Sequence, residues 1–132
     1  MADIKFGIDL RGGEDIGGVL RFEPGSHLEG VAQVLPGETI NYRKIVVRVG
    51  WHTEGKGSRE QLIVGEVPFP QPPGQLAPNV PLSQPFAIDL PRDPWSFAGH
   101  LISIVWTVRV FIDVPLGENI VGIQNFILAP RR

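Results

Sequence analysis

The chain has 132 residues, a formal net charge of −2 and no cysteine. A length of this order supports one core without a disulfide or thiolate-zinc staple, and the balanced charge gives no electrostatic reason to expect nucleic acid or an anionic membrane. The start, MADIKFGIDL, lacks the apolar run of a signal peptide, and no stretch of about 20 apolar residues is available to span a bilayer, so a cytoplasmic setting is the expectation.

Sixteen glycines and thirteen prolines among β-branched runs describe many turns between strands rather than helices. Ile4, Phe6, Ile8 and Leu10 alternate with Lys5, Gly7, Asp9 and Arg11, the pattern of a first strand with one dry side. RGGEDIGG then interrupts it. A glycine-rich loop invites a phosphate-binding reading, but no Lys-Ser or Lys-Thr pair follows and no helical segment opens after it, so a plain loop is expected. Residues 19–22 are short and extended, and Pro24-Gly25 signals a turn. In the next strand Leu28, Gly30, Ala32 and Val34 share a side, and their small size implies close approach of another strand or a bulge. A long strand begins near Glu38, with Ile45, Val47, Val49 and Trp51 on one side. Ile40 and Tyr42 fall on the opposite phase, which predicts a bulge near Arg43 or Lys44.

Residues 53–60, TEGKGSRE, read as the polar loop of a hairpin whose returning strand is 61–67. Lys56 and Arg59 at its tip are candidate contacts for an anionic group on a partner. Residues 68–85 hold prolines at a density that argues against regular pairing, because each lacks the N–H a ladder needs. The segment reads as a stiff crossover between sheets, with a polyproline-II ligand as the alternative. Phe86, Ile88 and Leu90 predict a short strand and PRDPWSFAG a corner. After the corner comes the most regular alternation in the chain. Ile102, Ile104, Trp106, Val108, Val110, Ile112 and Val114 face one side, and Leu101, Ser103, Val105, Thr107, Arg109, Phe111 and Asp113 the other. The closing strand, 119–129, has competing phases, since Ile120, Phe126 and Leu128 oppose Val121, Ile123 and Ile127. A bulge near Gln124 or Asn125, or coverage of both faces, is expected.

The chain offers poor material for catalysis. His27, His52 and His100 are isolated, no acidic or cysteine cluster has metal-ligand spacing, and Ser96 lies in PWSFAG rather than in a Gly-x-Ser-x-Gly elbow. No catalytic, cofactor-binding or metal-binding residue is assigned, an enzyme is not expected, and Ser96 reads as a turn residue whose hydroxyl satisfies backbone. A binding surface is better supported. Val105 and Phe111 flank Thr107 and Arg109 on a strand face that should be wet, and apolar groups there call for coverage by a loop or another chain. Self-association into a homo-oligomer is one way to supply it. Of the three tryptophans, Trp51 and Trp106 share the core phase, and Trp95, at the corner, is the one expected to be exposed. An exposed indole stacks on sugars, which makes a carbohydrate-binding module the alternative function.

The order of PGSHLEGVAQV, IVVRVGWHTEGKG, FAIDLP and PWSFAGHLISIVWTVRVFIDV resembles an arrestin-type β-sandwich. The residues that carry the resemblance are Pro24, Gly25, Gly30, Leu90, Pro91, Pro94, Ser96, Phe97, Gly99, Trp106 and Val108, with Ser26 standing where the family usually has an acidic residue. The resemblance implies an all-β, immunoglobulin-like or arrestin-like antiparallel sandwich forming a single domain over residues 1–132. It also implies a non-enzymatic scaffold or adaptor that binds proteins through edges and loops. Arrestins, the arrestin-like subunit of retromer and bacterial sporulation-control proteins usually carry two such sandwiches. This chain resembles the first of them, with Arg131 and Arg132 where a linker would start. The phosphate-sensing charges of receptor-binding arrestins have no match here.

Overall fold

The computed structural model describes residues 3–57 and 59–131; Met1, Ala2, Ser58 and the expected linker position Arg132 lie outside the described residues. Among the described residues the regular elements are all strands: β1 (Ile4–Arg11), β2 (Glu14–Ile16), β3 (Val19–Phe22), β4 (His27–Pro36), β5 (Ile40–Tyr42), β6 (Lys44–Gly55), β7 (Gln61–Pro68), β8 (Gly74–Leu76), β9 (Leu82–Asp89), β10 (Phe97–Ala98), β11 (Ile102–Asp113) and β12 (Ile120–Leu128). No helix among them is long and apolar enough to cross a membrane.

The strands form two main layers. The smaller sheet runs β1-β4-β9 and the larger β2-β3-β12-β11-β6-β7, with β10 added beside β11 and a separate β5-β8 pair. Pairing is antiparallel except between β3 and β12. Alternation decides which side each layer buries. Leu28, Ala32 and Val34 of β4 meet Val47 and Val49 of β6, Trp106, Val108, Val110 and Ile112 of β11, and Phe126 and Leu128 of β12 in one core. Trp106 is fully buried, and its ring centroid lies 5.8 Å from that of Phe126, which in turn meets Phe22 edge-on at 5.7 Å. Trp51 is half-buried against the same core, directly opposite Trp106 in the β6–β11 register.

The motifs that carried the family resemblance are the joints of this sandwich. Gly25 N–H donates to Pro91 O at 3.0 Å and Leu90 N–H to Ser26 O at 2.8 Å, so the Pro-Gly turn and the Leu-Pro pair hold each other. Ser26 closes its own turn through Oγ, which donates to Glu23 O at 2.6 Å. Ser96 satisfies backbone as expected: its N–H donates to Leu128 O at 2.8 Å, and its Oγ accepts from Leu128 N–H at 3.0 Å. The corner thereby takes over the place beside β11 where β12 ends. Trp106 Nε1–H donates to Pro94 O at 2.8 Å, pinning the same corner to the core. Gly30 answers the expectation of close approach: a Cβ there would lie 2.5 Å from Asp9 O on β1 and 2.8 Å from the Phe86 ring on β9.

Four expectations need correction. The phase change at residue 43 is not a bulge, because Ile40 and Tyr42 belong to β5 and pair with β8, while Lys44 starts β6 in another sheet. One chain segment serves two sheets, so two phases coexist. The proline-rich stretch does pair: β8 forms within it, and Pro85 sits in β9 opposite Val31, tolerated because β9 is an edge strand. Buried Phe69 and Leu76, with Tyr42 Oη donating to Pro72 O at 2.8 Å, hold it as a crossover against the core. The RGGEDIGG segment contains the short strand β2 paired with β3. Finally, β12 runs without a register shift against β11; Gly122, Phe126 and Leu128 are buried, while Val121 and Ile123 are exposed on the other face. The register shift in this part of the large sheet lies instead between Val49 and Gly50, in the β6–β7 hairpin.

Candidate functional site

Strand register turns the outer face of the large sheet into four rows. Pro68, Val46, Phe111 and Val121 align in the first, and Glu66, Arg48, Arg109 and Ile123 in the second. Ile63, Gly50, Thr107 and Asn125 make the third; Gln61, His52 and Val105 the fourth. Gly50 lies in a depression of this surface, and β7, displaced by its bulge, crosses so close that a Cβ there would run into the carbonyl of Leu62. The depression holds about 210 Å³ and is bordered by Arg48, His52, Ile63, Thr107, Arg109 and Phe111 among others. That is smaller than the roughly 300–1,000 Å³ usual for a small-molecule or cofactor site and suits one or two side chains of a partner.

The sequence places Val105, Arg109 and Phe111 on this face; in the structure Arg109 and Phe111 border the hollow, and Arg109 also meets Arg59 at an adjoining one. Val105, Lys56 and Trp95 line neither depression. Lys56 is at the hairpin tip, where its N–H donates to Leu101 O at 2.8 Å. Trp95 is 52% exposed, as its position at the corner implied, and Phe97, two residues on in an extended segment, is 55% exposed. The Trp95 indole N–H is occupied by Arg92 O at 3.0 Å. Val105 and Phe111 are half-buried, and part of the coverage they called for comes from within the chain, since the Arg48 guanidinium carbon lies 4.6 Å above the Phe111 ring. The remaining members of the face were not singled out from sequence. Ile63, over half exposed, stands in an apolar run that reads as an ordinary strand, and its position beside Gly50 follows from the bulge.

Polar contacts across the face are specific. Arg48 Nε donates to Glu66 Oε2 at 2.6 Å, and His52 Nε2 lies 2.7 Å from Glu54 Oε2. Arg109 Nε donates to Thr107 Oγ1 at 3.3 Å, and its Nη2 lies 3.3 Å from His52 Nδ1. Thr107 itself is almost fully buried. Donation from Arg109 to Nδ1 requires the imidazole proton on Nε2, the nitrogen facing Glu54.

The glycine-rich segment does not make a phosphate cradle. Arg21, the buried cation beside it, is committed elsewhere: Nε donates to Glu14 Oε1 at 3.0 Å, and Nη1 donates to Glu23 Oε1 at 3.0 Å and Ala129 O at 2.6 Å. The Glu14 hydrogen bond, helped by Glu23 and opposed by desolvation, raises the guanidinium pKa above its ordinary value. Because the folded value is the higher one, this stabilisation is fully present below the unfolded pKa and is lost only in strong alkali. Arg21 thus ties β2, β3 and the end of β12 together. Among the described residues no three His, Cys, Asp or Glu side chains converge as a metal site. His27 pairs with Asp89 on the surface.

The two-layer topology, the corner locked by Trp106 and Ser96 and the absence of helical elements among the described residues define an all-β, arrestin-like sandwich. No family model matches the chain, and no curated protein matches it in sequence. Among solved structures it is similar to Spo0M, the sporulation control protein of Bacillus subtilis, with a TM-score of 0.66 at 16% identity. The match covers 97% of this chain and 50% of Spo0M, so the chain spans about half the length of that neighbour. At that identity the likeness establishes the fold.

Proposed function

We propose that this chain is a non-enzymatic scaffold that engages a protein partner through the outer face of its large sheet, with residues 1–132 working as one sandwich unit. The observation that carries the reading is a set of exposed apolar residues at the hollow: Ile63 and Val121 border a depression of side-chain size, Ile123 stands beside Arg109 in the next strand, and each is at least 40% exposed. Solvent-facing apolar groups clustered in this way mark contact surfaces, and the half-buried Phe111 gives the face an aromatic centre. A second copy of the chain is one partner this face would accept. A cytoplasmic setting fits the lack of cysteine.

Ile63→Glu and Val121→Glu test the proposal, since both positions border the hollow and neither lies in the core. Either change should cut partner capture from a host extract and any self-association in sedimentation by at least about tenfold, because an apolar contact is lost and a carboxylate must be desolvated at the interface. The melting temperature should be unchanged. Capture and sedimentation indistinguishable from the parent chain would remove this face from consideration.

The neighbouring exposure of Trp95 and Phe97 supports a second reading, a carbohydrate-binding module that stacks sugars at the corner. Glycan-array binding abolished by Trp95→Ala would establish it, and an array blank for the parent chain would dismiss it.

A further inference from the structure

Arg48 and Arg109 stand directly opposite each other on β6 and β11. Like charges in that relation repel unless each has an anion of its own. Arg48 has one, Glu66 at 2.6 Å, and also rests on the Phe111 ring. Arg109 does not: its two contacts are the Thr107 hydroxyl and the His52 ring, each at 3.3 Å, and among the described residues no carboxylate lies within ion-pair distance of it. A guanidinium offers five N–H donors, so those two contacts leave several unused. Arg109 is half-buried and borders both hollows of the outer face, and its side chain is held in place by the buried Thr107 and by His52.

We propose that Arg109 is the anchor of a carboxylate-binding site on this face, and that its ligand is an acidic residue flanked by bulky apolar residues in a segment of a protein partner. The neighbouring charges set the direction of approach. Glu54 and Glu60 border the adjoining hollow on the hairpin side, where Arg59 offsets only one of the two, so an anion gains little by arriving from there. The open approach is across Ile63, Phe111 and Val121, whose surface is apolar. A carboxylate that reaches Arg109 by that route brings apolar neighbours into contact with the rim. The planar guanidinium takes both carboxylate oxygens at once, which distinguishes the acid from its amide. The inference rests on the outer face being the interaction surface and adds the chemistry of what it binds.

The blocked tripeptide acetyl-Leu-Glu-Phe-amide, compared with its Gln counterpart, is the direct probe. Titrated into isotopically labelled protein, the Glu peptide should shift the amide signals of residues 107–111 and 61–63. The Gln peptide should bind at least about tenfold more weakly, as should the Glu peptide to Arg109→Gln. The spectrum of the free variant reports whether it has folded, and Arg109→Lys should recover only part of the binding, since it restores charge without the fork. Equal shifts from the two peptides, or shifts unaffected by Arg109→Gln, overturn the proposal. Partner capture that survives Arg109→Gln but is lost in Ile63→Glu also overturns it, while leaving the interaction face standing. Capture that survives both removes the two together.

Discussion

Trp106→Ala should cost about 3–5 kcal/mol, the range for emptying a large aromatic site in a packed core. Two losses combine. The fully buried indole leaves a cavity beside Phe126, whose ring meets Phe22 edge-on, and Pro94 O loses the donor that fastens the corner to the core. Against a total stability of about 5–15 kcal/mol for a domain, that is enough to bring the melting temperature down by roughly 10–20 °C. Urea unfolding followed by fluorescence should show a lower midpoint at unchanged slope. Trp106→Phe separates the two terms. It keeps much of the ring volume and the contact with Phe126 but leaves Pro94 O unpaired, so its cost should be nearer about 1–3 kcal/mol. A Trp106→Ala protein within about 1 kcal/mol of the parent would mean that the core collapses around the vacancy and that the corner is not held from there.

Gly30→Val should be nearly as damaging, for the opposite reason. The site has no room: the first added carbon would lie 2.5 Å from Asp9 O and 2.8 Å from the Phe86 ring, and the second neighbour is itself buried. Overpacking of this kind costs about 1–3 kcal/mol, and the upper end applies because the closer obstacle is backbone, which cannot rotate away. β1 pairs only with β4 in its sheet, so it is the element that can yield. Hydrogen exchange should therefore show β1 amides losing protection well before those of β6 and β11. Adding Phe86→Leu relieves the ring contact but not the carbonyl, so recovery should be partial. Full recovery in the double variant would show that the strand β1 carbonyl gives way easily and that Gly30 is there for the phenyl ring alone.

Much of the sandwich was legible because alternation is local. A strand with one dry side announces itself every second residue, and β11 does so with Trp106, Val108, Val110 and Ile112, all fully buried. The same logic exposed β1, β4 and the β6–β7 hairpin. Punctuation was legible too, since Pro24-Gly25, Leu90-Pro91 and Ser96 close turns with partners the backbone supplies. Val105, Arg109 and Phe111 were legible as a group for one reason: they share the outer phase of a single strand.

Alternation fails where one segment answers to two sheets or where an inward position holds no side chain. At Arg43 the chain leaves β5 for β6, so the conflict between Ile40 and Ile45 has no solution within one strand. In β12 the inward position facing Phe6 is Gly122, which contributes no hydrophobic mark, while the outward Val121 and Ile123 do. Those two residues made the closing strand unreadable, and they are also what gives the outer face its apolar rim.

The residue pattern by itself determined that this chain is a layered β protein, which face of its long strand is dry, and that Trp106 belongs to the interior. Only the tertiary structure decided that β7 backbone closes against Gly50, that Glu66 neutralises Arg48 and not Arg109, and that Ile63, Phe111 and Val121 meet around one hollow. The difference is one of range. Phase along a strand is set by neighbours in sequence, whereas the partner each residue meets across the sheet is set by register, which a single bulge between Val49 and Gly50 was enough to change.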